Sequence, residues 1–222
     1  MAEYSPLGLF GGTFDPIHFG HLRLGEELRQ ALRLDAVHFV PAGRPWQRRA
    51  PGASPQQRLD MVRLALSGNP AFVADGREVG RAGPAYTFDS VEELRGERPD
   101  SSVCILLGAD AFLNLATWHR WESLFEIAHF GVAWRPGHAM APGAMASRLR
   151  KQFESRVTDD AKDLRLTRAG AIFVWQMTPL DISASGVRAQ LEAGNSARYL
   201  LPDAVLDYIE SKGLYSAEAN GT

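Results

Sequence analysis

A strand that ends in two glycines and runs into a helix through two histidines constrains this chain more than any other feature. The segment reads Leu9-Phe10-Gly11-Gly12-Thr13-Phe14-Asp15-Pro16-Ile17-His18-Phe19-Gly20-His21. Leu7 to Phe10 is an apolar run, with Gly8 inside it, and predicts a buried strand. Gly11 and Gly12 turn the chain, and the apolar spacing from Leu22 to Leu32 predicts a helix. In α/β proteins a Gly-rich turn of this kind holds phosphates, because backbone N–H groups and the positive end of the helix dipole both face the anion. His18 and His21 stand at i and i+3 at the helix entrance, on one face. An imidazole there can stabilise negative charge developing on a phosphoryl group. A bare His-x-x-His is commonly two solvated rings. The strand before it, the glycines, Asp15-Pro16 and the helix after it argue for the chemical reading.

Two other phosphate motifs are missing. No Gly-x-Gly-x-x-Gly follows the first strand, and there is no Gly-x-x-x-x-Gly-Lys-Ser/Thr. The chain of 222 residues, 45% apolar, suffices for one α/β domain over residues 1–222. A formal net charge of −2 gives no sign of a nucleic-acid surface or a polybasic membrane anchor. The one cysteine, Cys104, lies in the apolar run Val103 to Leu107 and reads as a small core residue in a reducing compartment. Met1 to Pro6 carries no secretory pattern, and no apolar stretch is long enough to span a bilayer. A soluble cytoplasmic protein is expected; oligomeric state is not legible.

Strands and helices alternate. Val37–Val40 predicts a second strand closed by Pro41, and the Gly-, Pro- and Arg-rich segment 42–53 a loop. Ser54 as N-cap, Pro55 at the first helical position and Gln57 completing a capping box start a helix that Gly68 ends. Ala71–Ala74 predicts a short strand, 75–85 a loop, and a helix follows Tyr86-Thr87. Val103–Leu107 is a continuous apolar run, as a central parallel strand requires. Phe130–Trp134 and Ile172–Met177 predict further strands. Met145–Phe153, Ser185–Ala193 and Pro202–Lys212 predict helices, the last capped by Gly213. The pattern implies a doubly wound parallel sheet, with ligands at the carboxyl ends of the strands near the switch point.

Two further constellations carry chemistry. Ile182-Ser183-Ala184-Ser185-Gly186-Val187-Arg188 sets two hydroxyls before a helix and a basic residue one turn inside it. Ser183 can cap the helix and also donate to phosphate, and the planar Arg188 fork suits phosphate oxygens. Gly108-Ala109-Asp110 follows the central strand directly; Asp110 can accept from ribose hydroxyls, cap a helix, or do both.

These residues resemble the nucleotidylyltransferase superfamily. His18-Phe19-Gly20-His21 matches its His-x-Gly-His signature, and the preceding Gly-Gly-Thr-Phe-Asp-Pro is similar to that of the bacterial nicotinate mononucleotide adenylyltransferases. Ile182 to Arg188 resembles the second phosphate motif and Gly108-Ala109-Asp110 the Gly-x-Asp that holds a nucleoside sugar. The resemblance runs from Leu7 to Tyr215 and implies a Rossmann-like nucleotidyltransferase fold. It implies adenylyl transfer from ATP to nicotinate mononucleotide, with Mg²⁺ accompanying the ATP. His18, His21 and Arg188 would then be catalytic. Gly11, Gly12, Thr13, Phe14, Arg48, Gly108, Asp110, Ile182, Ser183 and Ser185 would bind ATP. Asp15, Tyr86, Thr87, Trp118, His119 and Arg135 would bind the mononucleotide, with Trp118 stacked on the pyridine ring and the backbones of Thr87 and His119 on its carboxylate. The chain departs from the family pattern at His119, commonly Tyr, and at Trp46-Gln47, where Pro-His is usual. The rivals are a sister enzyme, such as a phosphopantetheine adenylyltransferase or a cytidylyltransferase, and a nucleotide-binding module without turnover.

Overall fold

Ser101–Gly108 is buried at every position but its last, which only a strand covered on both faces can be. That strand is β4 in a computed structural model that describes residues 3–45, 51–134, 143 and 145–216. In chain order the elements are β1 (Ser5–Gly12), α1 (Phe19–Ala31), β2 (Ala36–Pro41), α2 (Pro55–Leu66), β3 (Phe72–Ala74), α3 (Thr87–Glu97) and β4. There follow α4 (Ala109–Leu113), a 3-10 turn (Leu115–Thr117), α5 (Trp121–Ile127), β5 (His129–Trp134), α6 (Ser147–Arg156), β6 (Val157–Thr158), α7 (Asp163–Leu166), β7 (Ile172–Gln176), α8 (Ala184–Glu192) and α9 (Asp203–Ser211).

The strand order is β3-β2-β1-β4-β5-β7-β6. Parallel pairing sets Leu7 opposite Val103, Ile105 opposite Phe130 and Phe130 opposite Ile172. The winding runs outward from β1 through β2 to β3, then returns to place β4 on the other side of β1. The switch point therefore lies between β1 and β4, and Gly11 and Gly108 stand near the carboxyl ends of those two strands. The expected doubly wound α/β sheet is present.

The chain divides into two compact units, one of Met1–Gly11, Leu24–His38 and Tyr86–Pro179, the other of Gly12–Arg23, Phe39–Ala85 and Leu180–Thr222. The first has its core where Leu28 and Leu32, Val103 to Leu107, Phe112, Phe125, Phe130 and Ile172 lose almost all exposure. Phe130 packs at 4.6 Å from Phe125 and edge-on at 6.0 Å from Phe112. Cys104 is wholly buried there, and burial pushes its thiol far up, as the core reading requires.

His129, at the start of β5, is a buried titratable group of this core. Its Nδ1 accepts from the Ala171 N–H at 3.1 Å, so its proton sits on Nε2, 3.1 Å from the Thr167 carbonyl. Burial lowers its pKa from 6.5 to about 4. A depressed histidine pKa means that the unfolded chain binds the proton first. Stability from this site is thus full above pH 6.5 and falls away as pH drops toward 4. At roughly 1.4 kcal/mol per pKa unit the loss is about 3 kcal/mol. Urea denaturation at pH 7 and pH 4.5 should show this loss in the native protein and a much smaller one in His129→Asn; equal losses would contradict the assignment.

The second unit is built on Phe14, Phe39, Leu59, Met61, Val62, Val187, Val205 and Ile209, all nearly inaccessible. The α2 start is as the sequence predicts: Ser54 Oγ accepts from the Gln57 N–H, and Gln57 Oε1 accepts from the Ser54 N–H at 2.9 Å. One local expectation shifts. The helix expected at Met145–Phe153 runs from Ser147 to Arg156, because Ala146 takes the N-cap and Met145 is buried before it. β6, α4, α5 and α7 are short elements without a sequence signal of their own.

Candidate active site

The site begins with the peptide planes of the turn after β1. The Gly12 carbonyl accepts from the Ala42 N–H at 2.9 Å, and the Thr13 carbonyl from Arg58 Nη1 at 2.7 Å. A trans peptide points its N–H opposite to its carbonyl. The Thr13 and Phe14 N–H groups therefore point away from those two partners, as an anion-binding turn needs. Gly12 allows the turn sterically: a Cβ there would lie 2.8 Å from the Phe14 ring. Phe14 itself takes φ 50° and is buried, its ring edge-on to His21 at 5.1 Å.

His18 is buried at the N-terminus of α1. Its backbone N–H donates to His21 Nδ1 at 3.3 Å, half of a capping box with histidine in the third helical position. A ring nitrogen that accepts from an amide carries no proton, so neutral His21 holds its proton on Nε2, the nitrogen able to donate to an anion. The two imidazoles stack with centroids 3.7 Å apart.

The Ile182–Arg188 motif belongs to the same unit and meets this turn. A Cβ on Gly20 would lie 3.1 Å from the His18 ring and 3.5 Å from the Ile182 carbonyl oxygen, so Gly20 sits between the two motifs. Ser183 is the N-cap of α8; its Oγ accepts from the Gly186 N–H at 3.1 Å and lies 3.2 Å from Ser185 Oγ. The capping reading of Ser183 therefore holds, and its hydroxyl proton can still donate. Arg188, one turn in, reaches back to donate from Nη1 to the Asp15 carbonyl at 2.6 Å.

The resemblance implies that Asp15 contacts the mononucleotide, yet its carboxylate is held by the protein. Oδ1 accepts from the Ala53 N–H (3.1 Å) and the Tyr215 hydroxyl (2.7 Å), Oδ2 accepts from the Gly52 N–H (2.9 Å), and the residue is buried. Arg58 is wholly buried nearby and donates to the carbonyls of Ala53, Thr13 and Gly43. Desolvation lowers its pKa, opposed by the charge of Asp15. Arg58, Gly43 and Tyr215 carry no local sequence signal as supports of the site. Arginine at a core-facing helix position is the one pattern that could have drawn notice.

The first unit holds the remaining predicted residues. Gly108, not Asp110, is the N-cap of α4, without a side-chain bond, so the capping alternative for Asp110 fails and its carboxylate stays exposed. Tyr86 is the N-cap of α3 and makes no side-chain cap; Thr87 opens the helix. The Tyr86 ring stacks on His119 at 4.2 Å and 25°. Arg120, at φ 52°, lies over the Phe88 ring at 3.6 Å. Together these contacts seat the Trp118–Arg120 turn on the start of α3. Trp118 is half-buried, and its N–H is taken by the Leu115 carbonyl. Trp121, read as core, packs edge-on to Phe125. Arg48, Trp46, Gln47 and Arg135 lie outside the described residues. Among the described residues no three His, Cys, Asp or Glu side chains cluster to hold a metal ion, and no helix is long and apolar enough to cross a membrane.

A parallel sheet with its glycine turn and paired histidines at the switch-point strand is the architecture of a nucleotidylyltransferase, and the profile of the cytidylyltransferase-like family matches residues 9–190. A probable nicotinate-nucleotide adenylyltransferase of Dechloromonas aromatica is 49% identical over 95% of this chain and 97% of its own. One of Acidithiobacillus ferrooxidans is 44% identical over 97% and 98%. The nicotinic acid mononucleotide adenylyltransferase of Plasmodium falciparum, solved with NaAD, superposes with a TM-score of 0.71 at 16% identity, covering 96% of this chain and 98% of that one. The chain belongs to the cytidylyltransferase-like family, in its nicotinate-nucleotide adenylyltransferase branch.

Proposed function

We propose that this protein transfers the adenylyl group of ATP to nicotinate mononucleotide, releasing pyrophosphate and forming nicotinic acid adenine dinucleotide, a precursor of NAD. The observation that carries the reading is the meeting of the two phosphate motifs, Gly20 between the His18 ring and the Ile182 carbonyl with Arg188 on Asp15. The names of the relatives supply the substrate.

The mononucleotide's 5′-phosphate oxygen attacks the α-phosphorus of ATP in line, and the bond to the bridging oxygen breaks as pyrophosphate leaves. An anionic phosphate is already a nucleophile, so no side chain need form a covalent intermediate. Catalysis is then positioning and charge stabilisation. His18 acts on the α-phosphate, His21 through Nε2–H on the phosphate beside it, and Arg188 with Ser183 and Ser185 on the β and γ phosphates. The Thr13 and Phe14 N–H groups, turned away from Ala42 and Arg58, supply fixed donors. Asp110, exposed after β4, accepts from the ribose hydroxyls. Trp118 faces the pyridine ring, and the start of α3 with the His119 backbone takes the carboxylate. Arg48 and Arg135 add phosphate contacts on resemblance alone. Asp15 we reassign from ligand contact to support of the turn. Mg²⁺ enters as part of the Mg·ATP substrate, where it screens the triphosphate charge. We place the reaction in the cytoplasm within a single domain over residues 1–222; the single buried thiol fits a reducing compartment.

Pyrophosphate release, measured from ATP with nicotinate mononucleotide and with phosphopantetheine, and from CTP with cytidylyltransferase acceptors, tests the reading. Release with the first alone is expected; release only with another would replace it by a sister activity. Arg188→Ala should weaken ATP by about 1.5–3 kcal/mol, the worth of a charge-assisted hydrogen bond, and Arg188→Lys should restore part of it. Unchanged ATP affinity by calorimetry in both variants would take Arg188 out of the site.

A further inference from the structure

Tyr215 stands at the end of the last turn of the described chain, in a backbone conformation that side chains rarely adopt (φ 60°), with its side chain buried. Nothing in the proposed reaction uses it. Its hydroxyl donates to Asp15 Oδ1 at 2.7 Å across 200 positions of sequence. Its ring lies against Gly52, where a Cβ would come within 3.0 and 3.1 Å of two ring carbons. Asp15 in turn accepts Arg188 Nη1 on its carbonyl at 2.6 Å, and its Oδ2 lies 3.6 Å from the same nitrogen.

We propose that Tyr215 is a positioning residue for the nucleotide site: its hydroxyl fixes Asp15, and Asp15 aims the Arg188 guanidinium that receives the triphosphate. The proposal rests on the reading of Arg188 as a phosphate ligand. The phenol is suited to the task. Burial, and then the bond to Asp15, push its pKa far above the ordinary tyrosine value, so it stays a donor. Arg58 and Arg188 are the cations that face the Asp15–Tyr215 pair. Arg188 is about one-third exposed and keeps a second guanidinium edge to offer an anion while Nη1 is held. A tether of this kind limits the guanidinium's search without consuming its charge.

Tyr215→Phe keeps the ring on Gly52 and removes only the donor. Its KM for ATP should rise on the order of tenfold, the scale of one hydrogen bond to a charged group, with kcat changed by less than about threefold. Gly52→Ala, which keeps its N–H but crowds the ring, should raise KM for ATP in the same direction. In an Arg188→Ala background the Tyr215→Phe effect on KM should vanish, because the tether then has nothing to aim. A Tyr215→Phe enzyme that loses thermal stability but keeps its KM for ATP, while Arg188→Ala raises it, would reduce Tyr215 to a structural clasp and overturn the proposal. So would a Tyr215→Phe effect of the same size with and without Arg188. If Arg188→Ala alone leaves KM for ATP unchanged, the phosphate reading of Arg188 falls first and takes the proposal with it.

Discussion

A folded His18→Ala protein should turn over about 10²–10³-fold more slowly than the native one, the usual cost of removing one donor to a transition state. His18 is buried at the mouth of α1, its ring stacked on His21 and against Gly20. It is thus pre-aimed, and reorganisation on reaching the transition state is small. Charge on the α-phosphate grows as the bond to pyrophosphate stretches, so the interaction strengthens along the reaction and shows in kcat. ATP binding should change much less, because the triphosphate keeps Arg188 and the Thr13 and Phe14 N–H groups. Single-turnover rates at saturating ATP separate the two. A near-native rate in a protein with unchanged melting temperature would contradict the histidine mechanism.

Replacing Arg58 with Leu should cost about 3–5 kcal/mol of stability, the range for breaking a buried charge network by removing one partner. Three carbonyls, those of Thr13, Gly43 and Ala53, would lose their donor, and Asp15 would lose a compensating charge in a buried place. Arg58→Lys should recover little, since one ammonium group cannot reach three carbonyls in the fork geometry. Urea denaturation with equal m-values reads the loss directly. A cost below about 1 kcal/mol would mean that these carbonyls find water or other donors, and that the turn does not depend on Arg58.

The features legible in the sequence are those whose cause is local. The Ser54-Pro55-Gln57 start of α2 is written in three neighbouring residues, and the structure has both of its bonds. β4 is a run of apolar residues because both its faces are covered. The first turn is legible because glycines, histidines and strand lie within thirteen consecutive positions. Distance along the chain hides the rest. Asp15 meets Gly52, Arg188 and Tyr215 from 37, 173 and 200 positions away, and nothing at residue 15 announces those partners. Arg58 follows the opposite of the usual preference of arginine for the surface, so an amphipathic reading of α2 passes over it. Ser183 shows a third case: the sequence allows capping and phosphate donation together, and the structure has the cap, with Oγ accepting from the Gly186 N–H. His119 shows a fourth, since its stacking on Tyr86 depends on how the turn before α5 is bent at Arg120.

The central claim is the identity of the acceptor, and kcat/KM for nicotinate mononucleotide against nicotinamide mononucleotide tests it most directly. The start of α3, uncapped by any side chain, offers backbone donors and the positive end of a dipole, both suited to a carboxylate. An amide can present one oxygen there, but its NH₂ would meet a donor, and a mismatched polar pair costs about 1–3 kcal/mol. The account therefore predicts a preference for the acid of roughly tenfold to a hundredfold. Equal kcat/KM values, or a preference for the amide, would contradict it.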